Sequence, residues 1–133
     1  MNRKLIRSIP ALWACIFDTT VTTLLQPSNY WEGNLEIANE GNPIGNFFMT
    51  AHISGLFVIT AIWLGVIGVL GYYLPKKLAK IFLLFVLLSH SWGASTWLSM
   101  HFGFWSVMLF MIFNAFLYIM IDERGSKQKA LNG

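Results

Sequence analysis

Four stretches of this chain are each long and apolar enough to fill a helix across a bilayer, and that limits the fold more than anything else in the sequence. About 20 predominantly apolar residues cross roughly 30 Å of hydrocarbon as an α-helix, because backbone groups that meet no water must bond within their own segment. The stretches run from Ile9 to Leu25, Phe47 to Leu74, Leu78 to Met100 and Phe102 to Ile121. The second is long enough to tilt or to begin in the interface. The first carries Asp18, Thr19, Thr20, Thr22 and Thr23, so it needs neighbouring helices to stay buried. Composition agrees: at 56% hydrophobic and 11% charged residues, a soluble domain of 133 residues would have no interior large enough for its apolar side chains. The expected fold is all-α, a four-helix transmembrane bundle forming one domain over residues 1–133.

Charge placement orients the bundle. The nine basic residues fall in three groups: Arg3, Lys4 and Arg7; Lys76, Lys77 and Lys80; Arg124, Lys127 and Lys129. Four antiparallel spans put all three groups on one side. The loop from Gln26 to Asn46 holds no basic residue but has Glu32, Glu36 and Glu40. The positive-inside rule then makes both termini cytoplasmic and the acidic loop external; the expected location is the cytoplasmic (inner) membrane of a bacterium or archaeon. This distribution also accounts for the pI of about 9.2, with anionic lipid as the partner of the basic groups and no nucleic-acid role. Arg3, Lys4 and Arg7 ahead of an apolar run resemble a signal peptide, but Asp18 interrupts the run and no small-residue cleavage site follows, so the segment is expected to stay as a helix. A single cysteine, Cys15, offers neither a disulfide nor a cysteine metal motif. Pro10 suits a first helical turn, Pro43 precedes the second span, Leu74-Pro75 ends it, and the short His101-Phe102-Gly103 link makes the last two helices antiparallel neighbours.

The third span is the one that raises a question of function. "LLFVLLSHSWGASTWLSMH" begins as hydrocarbon and then places His90 among serines, a threonine and a glycine. At 1.5 Å per residue from the outer boundary, Asp18 lies about 12 Å down, His52 about 10 Å, and His90 about 16 Å, with Asn114 near the same level. Each predicted helix thus contributes one strongly polar group to one layer. Asp18 and Thr22 share a helical face, as do His90, Ala94, Trp97 and His101, and Thr19, Thr23 and Gln26 lead outward beside Asp18. Ser54, Ala61, Gly65 and Gly68 form a small-residue stripe suited to close helix contact. An ionisable group inside a span is costly and normally faces a partner, so Asp18, His52 and His90 are expected to converge. Two histidines and a carboxylate are also a ligand set for a divalent metal, the candidate cofactor. A haem would have only His52 with His90 for axial ligands, because His90 and His101 stand on one helix about 16 Å apart. Glu40 can cap the second helix or fold inward over the layer. Trp97 can line a ligand cavity, although tryptophan and tyrosine in such chains more often form interface belts and packing, and His101 suits the boundary itself.

Three motifs, "FDTTVTT", "NEGNP" and "SHSWGASTWL", stand out together. An early Asp followed by Thr, then Glu-x-Asn-Pro entering the second helix, resembles a family of small prokaryotic multi-spanning proteins that carry a domain of unknown function. The likeness covers mainly residues 17–43. It implies a helical bundle and assigns no role to Asp18, Glu40 or His90. The expected function is that of a small integral membrane binding or accessory subunit, assembling with itself or with a larger membrane complex. Its ligand or metal site would open outward and draw on Asp18, Thr22, Glu40, His52, His90, Trp97 and Asn114. The alternative is a metal-dependent membrane enzyme with Asp18, His52 and His90 on the ion, and a third reading is proton or ion passage along Asp18, Thr22 and Gln26.

Overall fold

The computed structural model describes residues 3–130, and the side chains of residues 4–124. Among these residues every regular element is helical: α1 (Arg3–Leu25), α2 (Ser28–Trp31), a 3-10 turn (Leu35–Ile37), α3 (Pro43–Ala51), α4 (Gly55–Tyr73), α5 (Lys76–Phe102) and α6 (Phe104–Ala130). Four of them, α1, α4, α5 and α6, are long and apolar enough to cross a membrane.

The four long helices form a rhombus. α1 packs on α5 along the short diagonal, and each of these two touches both α4 and α6; α4 and α6 do not pack on each other among the described residues. Burial follows this order. The apolar windows of α1 and α5 are 39% and 44% buried, against 22% for α4 and 11% for α6, so the flanking pair turns most of its surface to lipid. Two apolar clusters fill the seams. Ala11 and Cys15 of α1 meet Ile67 of α4 and Leu83 and Val86 of α5. Val21 of α1 meets Ala94, Trp97 and Leu98 of α5 and Phe110 of α6. Lipid tails are as apolar as these side chains, so close packing and buried hydrogen bonds hold the helices together. Gly71 shows the need for small residues: a Cβ there would run into the Ser8 hydroxyl and the Leu83 side chain. Gly65 and Gly68 instead face open space and Ala61 is exposed, so the predicted small-residue stripe is not used inside the chain.

One end of the bundle gathers the basic groups. Lys4 lies over the Tyr72 ring at 4.9 Å, joining the start of α1 to the end of α4, and Lys80 pairs with Asp122 at 2.9 Å across α5 and α6. The side chains of Arg3, Lys127 and Lys129 lie outside the described residues. Pro10 falls inside α1, because the helix begins at Arg3 and not near Ile9; its missing N–H leaves the Ile6 carbonyl without the usual partner. Gly103 ends α5 at φ 79, a conformation that favours glycine, and α6 starts one residue later.

The second predicted span is not one helix. The expected 47–74 segment breaks at His52, which is extended (φ −159, ψ 146), and α3 ends there. Asn42 caps the start of α3 by accepting the Ile44 N–H at 3.0 Å. Gly55 restarts the chain as α4, with its backbone so close to the Phe48 carbonyl that a Cβ would overlap that oxygen. α3 packs against the start of α4 as part of a cap at the end of the bundle away from the basic groups, in which Tyr30, Met49 and Leu56 form a third buried cluster and the Tyr30 hydroxyl donates to the Met49 carbonyl at 3.2 Å.

Candidate functional site

The centre of the site is a row of three side chains from three helices. His90 Nδ1 of α5 lies 2.8 Å from Asp18 Oδ2 of α1, and Trp63 Nε1 of α4 donates to His90 Nε2 at 2.8 Å. The indole N–H can only donate, so Nε2 carries the lone pair and the proton of the neutral ring sits on Nδ1, donating to the Asp18 carboxylate. Both ring nitrogens are thereby committed. In a low-dielectric interior such a fully paired row is strong, and any member left alone is expensive.

The neighbouring residues explain how a carboxylate fits there. A Cβ at Gly93 would stand 2.8 Å from Asp18 Oδ1 and 2.9 Å from Oδ2, so the carboxylate rests directly on the α5 backbone one turn beyond His90. Cys15, one turn before Asp18, lies near enough to the His90 ring to interact with it. Thr19 beside Asp18 shares a 3.0 Å hydroxyl contact with Thr60, one turn before Trp63. Asp18 and His90 are each about 20% exposed at the side chain, so the pair is sheltered yet reachable.

The loop between α1 and α3 supplies a second carboxylate. Gln26, at the end of α1 and 6% exposed, pairs with both backbone groups of Asn39: its Nε2 donates to the Asn39 carbonyl at 2.7 Å and its Oε1 accepts the Asn39 N–H at 2.9 Å. That clamp positions the next residue, Glu40, whose stem lies 2.9 Å from where a Gly45 Cβ would be and whose Oε1 accepts the Asn42 N–H at 2.7 Å. Burial pushes the Glu40 carboxyl above the usual carboxylate range; the Asn42 bond pulls it back, the Asp18 charge raises it further and His90 lowers it. Glu40 is thus within the electrostatic field of the pair.

A carboxyl that is raised on docking binds its proton more tightly in the docked loop than in the released one. Loop stability is therefore greatest below the ordinary carboxylate range and falls as pH rises through the raised value. Hydrogen-exchange protection across residues 35–51, taken after correction for the intrinsic pH dependence of amide exchange, is expected to fall over that pH window, and Glu40→Gln is expected to keep high protection at every pH. An unchanged profile in the variant would show that another group governs the loop.

Other predicted members of the site lie elsewhere. His52 is exposed at the α3–α4 break, with its Nδ1 accepting the Ser54 N–H at 3.1 Å and contacting the Ser54 hydroxyl at 2.8 Å. Its predicted convergence with Asp18 and His90 assumed an unbroken helix, and the break removes that premise. No group of three or more His, Cys, Asp or Glu able to hold a metal occurs among the described residues. Asn114 is 3% exposed but belongs to an adjoining network, accepting from Trp13 Nε1 at 3.1 Å and donating to the Ser91 hydroxyl at 2.9 Å. Ser91 follows His90 on α5, so the two networks share a level while facing α6 and α4 respectively. Trp97 packs in the apolar cluster between α1, α5 and α6. Thr22 is buried one turn beyond Asp18. His101 holds the Trp97 carbonyl at 3.0 Å at the end of α5.

Comparison with protein-family models, with curated proteins and with solved structures gives no match, so the site is read from its own geometry.

Proposed function

We propose that this is a small multi-spanning membrane binding protein, an accessory subunit in type, whose ligand seat is the Asp18–His90 pair beneath the Glu40 loop, facing the extracytoplasmic side. The observation that carries this reading is the 2.8 Å Asp18–His90 contact. An ionisable pair inside a membrane protein is costly and belongs by default to a working site. Two carboxylates and a neutral imidazole favour a ligand that is cationic or donates hydrogen bonds, since Asp18 keeps Oδ1 for such a partner and Glu40 adds negative charge at the entrance. The orientation of this reading, with both termini cytoplasmic, is supported by the three basic groups at the opposite end.

The metal-dependent alternative has less behind it. A metal on His90 would have to displace Trp63 or Asp18 from the ring, and His52 stands apart from the row. Passage of protons or ions outward along Asp18, Thr22 and Gln26 would have to open the two-bond Gln26–Asn39 clamp.

Native mass spectrometry of the detergent-purified protein tests the proposal. The wild type is expected to carry a bound species, a small molecule or a second chain, that Asp18→Asn and Glu40→Gln lose and that His52→Gln retains. The same species in all four spectra, or none in the wild type, would overturn it.

A further inference from the structure

The tautomer that Trp63 imposes on His90 has a second side. In the row as it stands, the indole N–H donates to Nε2, which requires a lone pair there. If the ring takes up a proton, that nitrogen becomes a donor too, and two N–H groups would point at each other across 2.8 Å. The contact is then repulsive. Asp18, by contrast, accepts from Nδ1 in either state of the ring and gains an opposite charge when the ring is cationic. Protonation therefore strengthens the α1–α5 contact and breaks the α4–α5 contact.

We propose that the row is a proton-binding site that works as a latch: a proton arriving from the extracytoplasmic side adds to His90 Nε2, and the Trp63 indole, losing its acceptor, lets go of α5. One proton is taken up and one hydrogen bond is lost; no other bond changes. The inference rests on the reading of Asp18 and His90 as the working site and names its regulator. The charged and titratable groups around the ring are Asp18 and Cys15 from α1 and Glu40 from the loop between α1 and α3. α4 presents Trp63, which does not titrate, and on the α6 side the nearest polar partner in the adjoining network is Asn114, which is neutral. Phe82 of α5, whose ring lies 6.4 Å from that of Trp63, gives the indole an apolar surface beside the row.

The adjoining network supplies an internal control. Trp13 donates to Asn114 in the same way that Trp63 donates to His90, but its acceptor cannot titrate. The two indole N–H signals of the full-length protein in detergent, assigned as those that vanish in Trp63→Phe and Trp13→Phe, are followed by nitrogen–proton NMR across about pH 5 to 10, a range that spans perturbed imidazoles. The Trp63 signal is expected to move through a single titration and the Trp13 signal to stay. In His90→Gln the side-chain oxygen still accepts from Trp63 and the amide still donates to Asp18, yet the acceptor of the Trp63 N–H no longer titrates, so the Trp63 signal is expected to lose its titration while the Trp13 signal reports an intact bundle.

A Trp63 signal that ignores pH in the wild type, or that titrates equally in His90→Gln, would overturn the latch. The outcomes separate the two claims. A flat Trp63 signal together with a ligand lost in Asp18→Asn ends the latch and leaves the binding site; a titrating Trp63 signal with no bound species in any spectrum does the reverse.

Discussion

Gly93→Ala is expected to damage the site, although glycine 93 carries no side chain. The added methyl carbon would lie 2.8 to 3.1 Å from three atoms of the Asp18 carboxyl group, closer than side-chain carbons normally approach. The carboxylate cannot simply swing aside, because its Oδ2 is held by His90 and that ring is held in turn by Trp63. Overpacking of this kind costs about 1 to 3 kcal/mol. Unfolding in mixed micelles is expected to show that loss in the wild-type background. In the Asp18→Ala background the methyl meets a vacated space, so the penalty should fall by most of its value, giving a coupling energy of about 1 kcal/mol or more. Additive effects of the two substitutions would mean that Gly93 answers to something other than the carboxylate. Loss of the Trp63 titration in Gly93→Ala, with the Trp13 signal unmoved, would connect the packing defect to the proton site.

The spans were legible because hydropathy reports directly on what a bilayer demands: an apolar exterior and a backbone bonded within each helix. The Asp18–His90 contact was legible to a degree for a related reason. Counting from the boundary placed both groups deep in the bundle, and a buried carboxylate must find a partner. His52 failed the same test because counting residues measures depth only along an unbroken helix. The run "FFMTAHISGLFV" holds no proline to announce the break; its marks are the extended His52, whose ring accepts the Ser54 N–H, and Gly55, whose backbone lies against the Phe48 carbonyl. Asn114 was placed at the right level and on the wrong network, since Ser91 and His90 are separated by one residue's rotation about α5 and so address different neighbours. By composition alone Trp63 reads as belt or packing. Its position in the middle of the apolar run, away from either interface, with Thr60 one turn earlier, was the available signal that its N–H had a buried partner to meet.

The break at His52 makes the second large prediction. Gly55→Ala would drive a methyl carbon into the Phe48 carbonyl and against the Met49 N–H, and these are backbone atoms that no rotamer change can move. To relieve the overlap the chain must withdraw α3 from α4, which also disturbs the Met49 side chain buried against Tyr30 and Leu56 and the hydrogen bond from the Tyr30 hydroxyl to the Met49 carbonyl. The cost is expected to reach about 3 kcal/mol, the upper end for overpacking, and to fall on that cap. The seams around α1 and α5 share none of these residues. Hydrogen exchange should therefore accelerate strongly across residues 30–51 in Gly55→Ala, while amides of the buried halves of α1 and α5 keep wild-type protection. Because the Gln26 clamp holds Asn39 from α1 independently of α3, residues 39 and 40 should open less than residues 43–51. Uniform acceleration through all the helices would instead mean that the cap and the membrane bundle unfold as one cooperative unit, and that the α3–α4 turn is a structural element of the whole protein.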